Sequence, residues 1–289
     1  MSKAELSVSN ISWPNGHDDV AYRTLAEQGV RKIDIAPTKA LTSVHKGAID
    51  PAEVAVFNAH VRSFGIEVAG IQSLAFGRTE NIFHSDKESL ADFQKHLSRI
   101  LVLAEQVGAR TVIFGAGNTR TVGDLSDTEI RAKATDFFGE LDAQVGVSGV
   151  TIGIEPVSTT YTNGAEAFGT ESTEIVDFVE GFENTRYVFD SFAVQDSGEN
   201  PLLLLNRATN TRALAAHAQI AEPALSPHNL ESPLDHDLFD EAFSRQLKVF
   251  NRPAVMAIEM LQPAISEDVT AEVLTTAIDS ARTFYRRSL

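Results

Sequence analysis

The sequence predicts a single (β/α)8 barrel on three observations. Short β-rich runs alternate with longer amphipathic stretches eight times along the 289 residues. Regular β-then-α alternation calls for parallel strands, and eight such units close into a barrel more readily than they leave an open sheet. No Gly-x-Gly-x-x-Gly follows the first strand, and the comparable stretch, Phe114-Gly-Ala-Gly-Asn118, comes after the fourth. That placement argues against a doubly wound dinucleotide-binding sheet, the alternative that the alternation leaves open.

The expected strands are Leu6–Ser12, Lys32–Ala36, Glu67–Ser73, Thr111–Gly115, Val150–Glu155, Tyr187–Asp190, Ala215–Ile220 and Ala254–Glu259. Among the intervening helices Ser85–Val107 is the clearest. Ser85 with Glu88 reads as a capping box, and Leu90, Phe93, Leu97, Ile100, Leu101 and Ala104 recur at helical spacing. Gly108 then supplies a stop. A second capping box, Ser126 with Glu129, opens the next helix, which ends before the glycine-rich turn at 145–149. The loop from Pro223 to Leu238 is the longest late insertion and is placed to cover the barrel mouth. No low-complexity linker interrupts the chain, so residues 1–289 are read as one domain.

Composition sets the outer bounds. A hydrophobic content of 43% suits one barrel of roughly 250 residues plus extensions. Without cysteine the chain has no disulfide or thiolate metal site, so any metal must be held by oxygen or imidazole. No apolar run of about 18 residues occurs, and the first ten residues lack the apolar core of an export signal, so the chain is expected in the cytoplasm and not in a membrane. Twenty-four Lys and Arg against 40 Asp and Glu give a formal charge of −16, which opposes a nucleic-acid partner. Such an excess usually serves solubility.

Alternation along a strand assigns side chains to the barrel interior or to the helix layer. In the fifth strand Thr151, Gly153 and Glu155 share the inward face; in the sixth Val188 and Asp190; in the eighth Val255, Ala257 and Glu259. Three carboxylates therefore converge at the mouth. Crowded carboxylates that lose hydration repel one another unless a cation or shared protons compensate, and a metal is the simplest compensation. The seventh strand offers His217 and Gln219 on the same inward face, with Gln219 at the upper, ligand-like position and His217 a layer deeper. Arg120 follows a Gly-containing turn after the fourth strand, where a guanidinium could grip a phosphate or carboxylate, or simply sit at the surface. Lys39, after the second strand, has the same two readings. Trp13 could wall a sugar skeleton or pack in the core. His17, His84, His228 and His236 lie in loops and could close over a substrate or stay solvated.

The stretches Ile33-Asp-Ile-Ala-Pro-Thr-Lys39, Gln72-Ser-Leu-Ala-Phe-Gly-Arg78, Phe114-Gly-Ala-Gly-Asn-Thr-Arg120, Ile154-Glu-Pro156, Phe189-Asp190, Ala221-Glu-Pro223 and Ile258-Glu-Met260 resemble the sugar phosphate isomerase/epimerase family, the xylose-isomerase-like TIM barrels. The likeness spans nearly the whole chain. It implies one divalent ion, Mn or Mg by preference with Zn or Co as alternatives, on Glu155, Asp190, Gln219 and Glu259. Glu155 and Glu259 would also carry protons on opposite faces of a small sugar, sugar acid or polyol derivative. Lys39, Arg120, His217, Trp13 and Gln72 would contact that substrate. Two departures stand out: Gln219 replaces a histidine, which disfavours Zn relative to Mg or Mn, and Ala193 replaces a substrate-binding histidine. The resemblance thus implies a metal-dependent isomerase or epimerase. A dehydratase on the same barrel and a non-catalytic binding barrel with a degenerate metal site remain as alternatives; an endonuclease IV-like nuclease lacks its histidine-rich zinc cluster and basic surface. A dimer is compatible with the sequence.

Overall fold

Eight parallel strands close in sequence order into a barrel: β1 (Glu5–Ser9), β2 (Lys32–Ile35), β3 (Glu67–Ile71), β4 (Thr111–Phe114), β5 (Thr151–Ile154), β6 (Thr185–Asp190), β7 (Leu214–Ala221) and β8 (Val255–Glu259). The computed structural model describes residues 3–146, 148–262 and 265–289. β1 pairs with both β2 and β8, which closes the ring and removes every sheet edge. The first strand stops at Ser9, short of the expected Ser12. There the Ser9 hydroxyl accepts from the Ile11 N–H at 3.3 Å and turns the chain into the 3-10 segment Asn10–Ser12. Among the described residues no helix is long and apolar enough to cross a membrane.

The helix Lys87–Val107 begins at a different cap from the one predicted. Asp86 is the N-cap, its carboxylate accepting from the Ser89 N–H at 2.8 Å, while the Ser85 hydroxyl accepts from the Asn81 N–H. A carboxylate at a helix N-terminus adds charge–dipole attraction to the capping bond, so the aspartate takes that place. Gly108 ends the helix at φ +81°, as a left-handed stop requires. The Ser126–Glu129 capping box forms reciprocally on the helix Asp127–Val145.

Two kinds of packing fill the barrel. Ile113, Val188 and Ala215 form an apolar cluster on one side of the axis. Across from it, Asp34 accepts from the Ser7 hydroxyl at 2.9 Å, and His217 Nε2 lies 2.7 Å from Asp34 Oδ2. That second pair is close enough to attract but off the line of a hydrogen bond, so both atoms lack a bonded partner. The pair fits because Gly70 has no side chain. A Cβ there would stand 2.8 Å from His217 and 2.9 Å from Asp34. The outward face of the strands packs on helix aromatics, as where Phe189 meets Phe239 at 5.6 Å.

Candidate functional site

Above the packed interior, Gln72, Glu155, Asp190 and Glu259 open from the C-terminal ends of β3, β5, β6 and β8 into one cavity of about 280 Å³. A larger cavity, about 600 Å³, opens at the opposite end among Lys32, Arg62, Arg110 and Arg252. The smaller one is the candidate site, because the convergent acids lie there and functional groups of this fold sit at the C-terminal face.

Glu155 is brought in by a missing atom. A Cβ on Gly115, the residue after β4, would overlap the Glu155 carboxylate, so only glycine leaves room for it. Gly115→Ala is expected to push the Glu155 side chain from its place and weaken divalent-metal binding by about 10-fold or more, the size typical of disturbed metal-site support. Titration calorimetry with Mn²⁺ on the folded variant checks this; unchanged affinity would refute it.

Burial first, and then the charges of Glu259 and Asp190, push the Glu155 carboxyl well above its ordinary range, against the pull of Arg120. Asp190 rises to about 7 through burial, opposed by the N–H groups of Ala193 and Phe192; the Ala193 N–H donates to it at 2.6 Å. Glu259 rises to about 8 through burial and repulsion from Asp190 and Asp34, opposed by the amide of Gln72 at 3.0 Å. All three acids are thus destabilised as anions by burial, and Glu155 and Glu259 also by neighbouring negative charge.

An amide relay runs beneath them. Gln72 Nε2 donates to Ser9 Oγ at 2.5 Å and to Glu259, while Gln72 Oε1 accepts from Gln219 Nε2 at 3.0 Å. This commits the Gln219 N–H and leaves its Oε1 buried without a donor. Glu155 Oε2 is likewise buried and unpartnered. The three acids are short of counter-charge and offer hard oxygen donors of the kind a divalent cation takes, though their oxygens are spaced more widely than the ligating atoms of the Glu222–His228–His236 triad. Gln219 does not line the cavity itself, where Ala221 takes its place.

Other candidates from the sequence lie elsewhere. Arg120 is fully buried, donates from Nη1 to the Glu155 carbonyl at 3.0 Å and sits 5.9 Å over the Phe114 ring. Burial lowers it to about 10, with Glu155 and Glu174 opposing. It braces the end of β5 and does not reach a ligand. The Lys39 ammonium is held by the carbonyls of Asn10 and Trp13, and burial lowers it to about 8. Trp13 is buried, donates to Asp18 at 2.8 Å and packs edge-on against Tyr22. His217 is spent on Asp34, below the cavity. His17 meets Thr270, and His84 lies beside Gly123.

His228 and His236 are buried in the helix layer, where they and Glu222 hold their ligating atoms within 4.8 Å of one another. Burial alone would raise Glu222; bonds from His228 at 2.5 Å, His236 at 2.8 Å and Ser232 at 2.5 Å outweigh it and pull the group to about 2. His228 Nε2 has no partner. As it stands the cluster forms a hydrogen-bonded clasp, tying the late loop to Tyr285 through His236 at 2.7 Å, and its three ligating atoms are also spaced to hold a metal ion.

Residues missed in the sequence complete the cavity. Phe76, Tyr161 and Leu225 come from the loops after β3, β5 and β7. Burial first, then the charges of Asp190, Glu259 and Glu155, hold the Tyr161 phenol protonated, so it faces the acids as a hydrogen-bond donor. Nothing in its local sequence, a Thr-rich turn, distinguishes it from a surface tyrosine.

Residues 22–274 match the family described as xylose isomerase-like TIM barrel. No curated protein matches the sequence significantly. Among solved structures the chain is similar to the IolI protein with a bound zinc atom, at 15% identity, TM-score 0.74 and 99% coverage of both chains. It is similar to L-ribulose 3-epimerase, at 15% identity and TM-score 0.74, over 99% of this chain and 94% of that one. The D-allulose 3-epimerase of Methylomonas sp., in complex with D-allulose, matches at 14% identity and TM-score 0.70, over 100% and 98%. At such identities the likeness is one of fold.

Proposed function

Because the chain belongs to the xylose isomerase-like TIM barrel family, we propose that it is a divalent-metal-dependent isomerase or epimerase of a small carbohydrate-like hydroxy-ketone. The observation that carries this reading is the meeting of Glu155, Asp190 and Glu259 in one cavity, all three raised by burial and the two glutamates also by the neighbouring acids. Similar folds that handle L-ribulose and D-allulose support the substrate class.

Glu155, Asp190 and Glu259, which line the cavity, would hold the ion, and Gln219 would act beneath them through its bond to Gln72. When bound, such an ion polarises a substrate carbonyl and neutralises the acids. Glu155 and Glu259, at the ends of β5 and β8, would face the substrate from different sides of the mouth, one taking the proton from the hydroxyl-bearing carbon beside the carbonyl and the other, protonated, delivering its own proton to that carbon. Gln72 would keep Glu259 oriented through its amide, and Tyr161 would donate to a substrate oxygen. Positioned acid–base groups contribute about 10²–10⁴-fold to such a step.

Deuterium incorporation at a ketose α-carbon in deuterated water, dependent on added Mn²⁺ or Mg²⁺, is the expected result. Metal binding without exchange across a ketose panel would sink the proposal. A new conjugated absorbance in place of exchange would assign a dehydratase instead.

A further inference from the structure

The cavity walls narrow the choice of substrate. Besides the carboxylates and Gln72 the lining is mostly apolar, with Ala75, Phe76, Val157, Ala193 and Leu225 beside Ser73 and Ser158, and none of the described residues that line it is Lys, Arg or His. Lys39 is held by backbone carbonyls, and Arg120, bonded through Nη1 to the Glu155 carbonyl with Nε and Nη2 unpartnered, does not line the cavity. A phosphate or carboxylate on the far end of a substrate whose oxygens sit at the acids would lie on this wall with no cationic side chain to pair it, which is a costly arrangement.

The apolar wall, by contrast, is presented outward. Phe76 is 67% exposed despite its size, and Tyr161 stands at the rim with its ring 5.7 Å from that of Phe192. Apolar groups exposed around a concave site mark a surface that a ligand covers. Leu225 adopts φ +52°, a left-handed conformation that a bulky side chain rarely takes. Its carbonyl accepts from the Leu261 N–H at 2.7 Å and its own N–H donates to the Glu222 carbonyl at 2.9 Å. The frame thus maintains a strained backbone that keeps an isobutyl group on the cavity wall.

Building on the proton-transfer reading above, we propose that the substrate is an uncharged α-hydroxy-ketone with an apolar arm. Its oxygens lie at the carboxylate end and its arm lies against Phe76, Tyr161 and Leu225. Sugar phosphates and sugar acids are rejected.

Three ligands test this by calorimetric binding to the protein with Mn²⁺ added: 1,3-dihydroxy-4-phenylbutan-2-one, D-fructose and D-fructose 6-phosphate. The phenyl ketone is expected to bind about 10-fold or more tighter than fructose, with no measurable binding of the phosphate. Phe76→Ser, at an exposed position, is expected to shrink that preference several-fold and leave Mn²⁺ affinity unchanged. Equal or tighter binding of fructose or its phosphate, no binding of the phenyl ketone, or an unaltered preference in Phe76→Ser would each overturn the inference. Deuterium exchange on the same ligands separates the two readings. Preferential binding of the phenyl ketone without exchange in any ligand would remove the isomerase assignment and leave the specificity standing. Exchange in fructose 6-phosphate would remove the specificity and leave the isomerase.

Discussion

Glu155→Gln is expected to lower proton exchange at the substrate carbon by about 10²-fold or more while making the metal-free protein more stable at pH 8. Both effects have one origin. Glu155 is half-buried, its Oε2 is buried without a hydrogen-bond donor, and Glu259 and Asp190 repel it. An amide of the same shape removes the charge that the site resists and also the group that moves the proton. A single stabilising substitution is commonly worth about 0.5–2 kcal/mol, or about 1–8 °C in a protein of this size. The sign follows from the raised folded pKa: the penalty is absent below the unfolded value and develops as pH rises through the folded one. The gain should therefore vanish near pH 4. Thermal melts of the chelated wild type and variant at pH 4 and pH 8, beside deuterium exchange of the metal-loaded forms, measure both arms. A variant that keeps exchange, or is less stable at pH 8 than the wild type, would contradict the argument.

The barrel was legible because its signals are local. Strand runs recur with period two, capping residues sit at fixed offsets, and the parity of Glu155, Asp190 and Glu259 follows from counting along single strands. What counting does not reveal is the partner of a charged group. Arg120 and Lys39 read as ligand-binding cations because a free cation after a strand can reach a ligand; their acceptors are backbone carbonyls supplied by Glu155, Asn10 and Trp13. The Asp34–His217 approach depends on Gly70 in a third strand, a contact among residues far apart in sequence. Loop residues are harder still. Tyr161, Phe76 and Leu225 have no periodicity to assign them a face, and the strain at Leu225 is set by bonds to Leu261 and Glu222.

Gln219 illustrates how a departure from a family pattern can be physically coherent. As an amide it must place both a donor and an acceptor, and Gln72 takes the donor. The same Gln72 donates to Glu259, so one side chain links Gln219 to a proposed ligand. A histidine at 219 would offer the ion a softer nitrogen and need a different partner at β3. The pairing of Gln72 with Gln219 is what lets an amide stand there.

Stability of the metal-free protein is expected to fall as pH rises from about 4 to about 8, and added Mn²⁺ to restore it increasingly over the same range. Asp190 and Glu259 are raised to about 7 and about 8 when folded, from ordinary carboxylate values when unfolded. Below the unfolded values both states carry the protons, and the two groups contribute nothing to the pH dependence. Between the unfolded and folded values the folded state binds more protons than the unfolded one, so stability declines with each step in pH. A divalent ion competes with those protons for the same oxygens. Its binding should release protons at pH 7, visible as a calorimetric enthalpy that changes with the ionisation enthalpy of the buffer. Binding that stabilises only the folded state adds about 4 kcal/mol at 1,000 times its Kd, and that increment should shrink markedly at pH 5, where protons already satisfy the acids. A Mn²⁺-induced Tm shift of equal size at pH 5 and pH 8, or a binding enthalpy indifferent to buffer, would mean that the ion is held elsewhere and that the crowded carboxylates serve another purpose.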